Sequence, residues 1–310
     1  MSAATFLLCL VGCERALAAE PPIRPLTETP EIAERQPAWS PSGEWIVYSA
    51  GDAATGDLWL MTPDGTERRQ ITHDDAVEYC PAWSPDGTRI AYSGTRGEGA
   101  PAIWILDLRD SSIVRLTNER GRVHEPAWSP DGETIAYYGI ASGDEQVWSI
   151  PAGGGEPRRL SHHVTQSWSA AWSPDGAELV YAGYRNARTG GSLFIMPRDG
   201  EGDACEHARA LTTRRDHRWD RFPDWSRDGQ WIVFAGQTTS GGLDLWLVSA
   251  DRAIEERLTE HPAEDTEPSW SPDGESVVFV SERAGSPDLW ILDAATAAEP
   301  YHSREAPKKK

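Results

Sequence analysis

The sequence predicts an all-β chain, a six-bladed β-propeller of four-stranded blades whose ring is closed by an N-terminal strand. Three observations carry this. A motif close to P-A-W-S-P-D-G occurs six times in 310 residues. Its tryptophans, Trp39, Trp83, Trp128, Trp172, Trp225 and Trp270, are separated by 44, 45, 44, 53 and 45 residues, the period of one propeller blade. A strand-like segment ahead of the first motif, Ile23 to Thr27, has no blade of its own.

Each unit is read in order. The strand ending in Pro-Ala-Trp comes first, as strand a. Ser-Pro-Asp-Gly follows as a turn, because Pro presets φ at the second turn position, Asp suits the third and Gly takes a left-handed fourth. An alternating apolar run such as Arg89-Ile90-Ala91-Tyr92-Ser93 reads as strand b. A second aromatic (Trp59, Trp104, Trp148, Phe194, Trp246, Trp290) marks strand c, 20 to 22 residues after the first Trp. A Leu-Thr-like pair closes most units as strand d: Ile71-Thr72, Leu116-Thr117, Leu160-Ser161, Leu258-Thr259, with Leu211-Thr212 delayed in the long fourth unit. Eleven of the fifteen Trp occupy the two aromatic positions. Large flat side chains at fixed repeat positions suit blade-to-blade packing, so the six first Trp are expected as core.

Ring closure follows from the ends. Leu26-Thr27 is a strand d without strands a to c before it, and the sixth unit ends weakly at Tyr301-His302-Ser303. The N-terminal strand is therefore expected to complete blade six, which removes the open edge. The propeller then covers residues 21–303, and residues 304–310 are expected to form a disordered tail.

Residues 1–20 read as a signal peptide, since Thr5 to Gly12 is an apolar run too short to span a bilayer. Two processing sites compete. Leu10-Val11-Gly12-Cys13 looks like a lipobox that would lipidate Cys13, and Ala16-Leu17-Ala18 looks like an A-x-A cleavage site. The segment before the run lacks Lys and Arg. Export to the periplasm, or tethering to the outer membrane through a lipid on Cys13, is expected. Cys80 and Cys205 show no metal spacing and are not expected to pair.

The net charge of −20 disfavours nucleic acid and anionic lipid, and favours solubility and basic partners. The loops from strand d to strand a are varied and polar, whereas the S-P-D-G turns are nearly uniform. Specificity is therefore expected on the d–a rim, with His73, Glu78, His124, Glu125, His162, Trp168, His217, Trp219, Asp220 and Glu267 as candidate binding residues. Trp168 and Trp219 beside charge suit a protein or peptide partner. No catalytic residue is proposed and no cofactor is expected. Imidazole and carboxylate are good cation ligands, but His73, His124, His162 and Glu267 show no diagnostic spacing. A monomer is expected.

The form P-x-W-S-P-D-G…I-A-Y…L-W-I-x-D…R-L-T resembles the repeats of the TolB propeller, itself similar to WD-repeat blades, from Ile23 to about Ser303. The resemblance implies a six-bladed propeller of the bacterial envelope that docks proteins at the mouth of its channel. TolB carries an α/β domain ahead of its propeller, and only about 20 residues separate the leader from the first repeat strand here. Similar propellers precede serine peptidase domains, but no G-x-S-x-G occurs in this sequence. Some are metal-dependent lyases of uronate oligosaccharides, so a lyase or hydrolase working at the channel mouth is the alternative to a binding protein.

Overall fold

The computed structural model describes residues 21–294 except 52–55, 98–99, 119–120, 141–143, 163–165, 185–189, 200–207 and 213–218. The leader with Cys13 and Ala18, Cys205, His217 and the C-terminal tail lie outside the described residues. Among the described residues, twenty-four strands form six four-stranded antiparallel sheets. β1 (Ile23–Pro25) comes first. Blade 1 is β2 (Ala33–Trp39), β3 (Ile46–Gly51), β4 (Asp57–Met61) and β5 (Arg68–Gln70). Blade 2 is β6 (Glu78–Trp83), β7 (Arg89–Gly94), β8 (Ala102–Asp107) and β9 (Ile113–Arg115). Blade 3 is β10 (Val123–Trp128), β11 (Thr134–Gly139), β12 (Gln146–Pro151) and β13 (Arg158–Arg159). Blade 4 is β14 (Ser167–Trp172), β15 (Glu178–Gly183), β16 (Ser192–Pro197) and β17 (Arg209–Ala210). Blade 5 is β18 (Asp220–Trp225), β19 (Trp231–Gln237), β20 (Leu243–Ser249) and β21 (Glu255–Arg257). Blade 6 is β22 (Asp265–Trp270), β23 (Ser276–Ser281) and β24 (Asp288–Asp293). It is completed by β1, which pairs antiparallel with β24.

Strand a of each blade contacts strand a of the next, from β2 round to β22 and back to β2. The ring is closed and the six strands a surround its axis.

Closure is visible atom by atom. In blades 1 to 5 the hydroxyl of the Leu-Thr pair accepts a strand c amide: Thr72, Thr117, Ser161, Thr212 and Thr259 take the N–H of Leu58, Ile103, Val147, Leu193 and Leu245 at 2.8–3.0 Å. In blade 6 the same slot is filled by Thr27, which accepts from Leu289 N–H at 2.8 Å. The N-terminal strand thus stands where the sequence places it.

The S-P-D-G turns are rigid for a local reason. Their glycines, from Gly43 to Gly274, all have φ of 69–76°, which only glycine adopts without steric cost. In blades 2 to 6 the Ser hydroxyl donates to the Asp two residues on, at 2.5–2.6 Å. The core lies between blades, where facing sheets interdigitate. One buried ring escaped the sequence reading: Tyr48, Tyr92, Tyr137, Tyr181, Phe234 and Phe279 occupy the same strand b position and are fully buried.

Of the six first Trp, Trp128, Trp172, Trp225 and Trp270 are buried, at 7–8% exposure. Trp39 and Trp83 are only half-buried. All six end the innermost strand and line the channel cavity, but Arg89 covers Trp128 and Arg198 covers Trp172. The indoles still tie blades together, as when Trp83 Nε1–H donates to Ala38 O of the preceding blade at 3.1 Å.

Candidate functional site

The channel has a waist. In every blade the a–b ladder slips by one residue just before the tripeptide that ends in the first Trp, for example between Tyr79 and Ala82. In five blades the bulge fits the proline after it, which has no N–H to give the ladder, and blade 4 keeps the same bulge with Ala170 there. The bulged residues are Gln36, Cys80, Glu125, Ser169, Phe222 and Glu267, and all six have φ of 48–52°. A non-glycine residue in this left-handed region costs on the order of 1 kcal/mol or more. The bulge places these six side chains on the channel wall.

On one side of this waist a cavity of about 730 Å³ runs to the first residues of the S-P-D-G turns. On the other side, toward the d–a loops, the residue before each bulge is Arg35, Tyr79, His124, Trp168, Arg221 or Thr266, of which the first five are partly exposed and Thr266 is buried.

This d–a mouth carries two aromatic clusters. Tyr79 Oη and His124 Nδ1 are 2.6 Å apart, and the His124 ring stacks on Tyr138 at 5.1 Å. Burial pushes the His124 imidazole down to about 4, with Arg122 adding to the effect, so the ring is neutral near pH 7. The second cluster joins Trp168, Tyr184 and Trp219. Tyr184 meets each indole edge-on at 5.1 Å, and the indoles are 6.3 Å apart. Arg221 lies over the Trp219 ring at 4.6 Å. These side chains are half-buried. The Glu145 charge acts on both Tyr138 and Tyr184.

The structure therefore brings together His124, Trp168 and Trp219 of the residues expected on the rim. It adds Tyr79, Tyr138, Tyr184 and Arg221, which the sequence reading missed. Tyr79 and Arg221 had a legible signal, since both stand at the same repeat position as His124 and Trp168.

Other candidates stand elsewhere. Glu78 and Asp220 open strand a and point back into the blade, at 0% and 1% exposure. Arg96 Nε donates to Glu78 at 3.0 Å, and Arg96 also pairs with Asp74. Thr212 donates to Asp220 at 2.5 Å. Asp265, at the same position of blade 6, is held by Arg283 at 2.6 Å. These acids anchor the start of strand a and do not belong to the rim surface. Glu125 and Glu267 sit at the waist, deeper than expected. His73 and His162 are exposed on the d–a loops. Among the described residues no three His, Cys, Asp or Glu side chains converge as metal ligands, so His73, His124, His162 and Glu267 do not form one site.

The waist is acidic. Burial pushes the Glu125 carboxyl up to about 7, with Glu267 raising it further and the Ser169 hydroxyl, 2.7 Å away, opposing. Burial likewise raises Glu267, against the Gln36 amide bonded at 2.7 Å. Asp224 is raised to about 6 by burial, against amides that include Trp270 N–H at 2.8 Å. Cys80 is a free thiol. Burial first, then Glu125 and Glu267, keep it protonated, so it is a poor nucleophile.

A TolB β-propeller domain model matches residues 25–217 and 208–303. The chain belongs to the TolB β-propeller family. An uncharacterized protein of Agrobacterium fabrum is 30% identical over 144 residues, 46% of this chain and 45% of its own length. The match thus spans under half of that relative. A structure from Agrobacterium tumefaciens described as a TolB superimposes with a TM-score of 0.69 at 22% identity, covering 87% of this chain and 93% of that one. An oligogalacturonate lyase in complex with manganese superimposes with a TM-score of 0.59 at 16% identity, covering 87% and 92%. At these identities the structural likenesses show the fold, which TolB propellers and enzymes share.

Proposed function

We propose that this TolB-family propeller is a non-catalytic binding protein of the cell envelope. It captures a protein or peptide segment on the d–a mouth of its channel. The observation that supports this reading is the half-exposed Trp168–Tyr184–Trp219 cluster with Arg221 stacked on it. Rigid aromatics with two χ angles give contact area at low entropic cost and dominate binding hot spots. Protein capture is also in keeping with the TolB likeness. The −20 charge would steer a basic segment toward the molecule, and salt would weaken that steering.

Trp168→Ala combined with Trp219→Ala is expected to abolish capture of an envelope partner while leaving the unfolding transition nearly in place. Changing Asp86 and Asp131, on the S-P-D-G end, is expected to leave capture intact. Loss of capture in the Asp86/Asp131 variant alone would move the partner to the other end. Turnover of a glycan or peptide that a chelator abolishes would overturn the non-catalytic reading in favour of a lyase or hydrolase. Residues 1–20 serve export in this proposal, with Cys13 as lipid anchor. Cys13→Ser is expected to release the protein from the membrane fraction, and unchanged fractionation would refute the anchor.

A further inference from the structure

We infer that the cavity between the waist and the S-P-D-G turns is a binding site for a small organic cation, an ammonium or guanidinium group on a hydrocarbon body. This site lies on the opposite side of the waist from the d–a mouth and does not depend on the reading of that mouth.

The cavity has the size of a ligand pocket, about 730 Å³, within the range of roughly 300–1,000 Å³ typical of such sites. Its departures from repeat symmetry are the informative feature. Most wall positions repeat: the Trp and the Ser after it occur in all six blades. The waist position does not repeat at all beyond its two glutamates, reading Gln36, Cys80, Glu125, Ser169, Phe222 and Glu267. A position that only shaped the bulge would tolerate one residue six times. Two further wall positions are near-uniform except in blade 5. Asp224 stands where the other blades have Ala38, Ala82, Ala127, Ala171 and Ser269. Arg227 stands where the others have Pro41, Pro85, Pro130, Pro174 and Pro272.

These departures introduce three carboxylates into a wall otherwise made of indole, proline and small side chains. Each carboxylate is held in place by the next blade: Glu125 by Ser169 Oγ, Asp224 by Trp270 N–H and Glu267 by Gln36 N–H, at 2.7–2.8 Å. The acids are therefore fixed around a hollow. Among the described residues no cationic side chain is hydrogen-bonded to them. Arg221 and Arg35 reach Glu125 and Glu267 only as distant charges, and Arg227 is the one cation among the lining residues. Preorganised carboxylates facing an apolar hollow attract a cation that brings its own hydrocarbon, which the indole and proline walls cover. The raised carboxyls agree with this, since a bound cation would draw them into their charged form.

Choline is the probe, and its neutral isostere 3,3-dimethylbutan-1-ol is the control for shape. Calorimetry on the purified full chain is expected to show choline binding that is at least about tenfold tighter than the alcohol. Choline binding is expected to tighten as pH rises from about 5.5 to about 8, because Glu125 and Asp224, raised to about 7 and about 6, ionise across that range, with Glu267, Cys80, Arg35 and Arg221 as the other titratable and charged groups acting on the acids. Glu125→Gln with Glu267→Gln keeps acceptor oxygens for Ser169 and Gln36 and is expected to weaken choline at least about tenfold. Arg227→Ala is expected to tighten it, and Trp168→Ala with Trp219→Ala to leave it unchanged. Absence of choline binding, equal binding of the alcohol, or binding insensitive to pH overturns the site. The pH series on the unmodified chain decides the matter even if the double carboxamide variant does not fold.

Discussion

The two ends of the channel are made by the same six strands a, yet they are built on opposite plans. At the S-P-D-G end each strand runs into the same turn, closed by the same Ser–Asp bond in five blades and the same left-handed glycine in all six. At the d–a end the residue before each bulge varies around the ring, with Arg only in blades 1 and 5, and among the described residues aromatic rings from neighbouring blades meet on one arc, from Tyr79 to Trp219. Uniform turns carry stability, and varied positions are free to carry recognition. The waist joins the two plans, because its backbone is uniform while its side chains are not.

The comparison is tested hardest by one residue type placed at both ends. Trp128 is 8% exposed and sits in the core between blades 2 and 3. Trp128→Ala is expected to cost about 3–5 kcal/mol. Trp219 is half-exposed, and Trp219→Ala is expected to cost less than about 1 kcal/mol, since part of its surface is already in water. Denaturant midpoints of the two variants check this. Equal losses would break the division between a structural and a recognising end.

A smaller contrast compares polar groups. Ser129 is fully buried, donates to Asp131 and accepts Thr134 N–H at 3.0 Å. Ser129→Ala strands that amide and is expected to cost about 1–2 kcal/mol. His73 is exposed on a d–a loop, and His73→Ala is expected to stay within about 0.5 kcal/mol of the unmodified chain. Thermal unfolding of both variants sharpens the comparison.

The fold was legible because a propeller writes its blade period directly into the sequence. Six Trp at steps near 45 fix the blade count, and an unmatched Leu26-Thr27 fixes the closure. The site was legible only in part. Trp168 and Trp219 stood out as tryptophans outside the repeat positions, but their contact through Tyr184 depends on the angle between blades 4 and 5. Glu78 and Asp220 resembled exposed loop acids in sequence. Whether a strand's first side chain points to solvent or into its blade depends on partners such as Arg96 and Thr212, which lie elsewhere in the chain. The waist went unrecognised because a bulge changes which way a side chain points, and strand alternation alone does not reveal it.

The waist also makes the smallest and most specific prediction, a pH dependence of stability with a defined sign. Glu125 has an ordinary carboxyl value near 4.5 when unfolded and about 7 when folded. Between these values the folded chain binds the proton more tightly than the unfolded chain does. Stability from this group is therefore fully present below about pH 4.5 and is lost as pH rises through about 7. Glu125 lines an open channel and is partly exposed, so solvent screening reduces the full linkage value, and a loss of about 1 kcal/mol between pH 5 and pH 8 is expected. Glu125→Gln removes the titration while keeping an acceptor for Ser169. The variant is expected to be more stable than the unmodified chain at about pH 8 and nearly equal to it at about pH 5, with a visibly flatter dependence of midpoint on pH. A histidine or surface carboxylate elsewhere would titrate identically in both proteins, so the difference between the two curves isolates the waist. Parallel curves would mean that Glu125 does not bear an uncompensated charge, and the waist would then be a neutral constriction between two otherwise different ends.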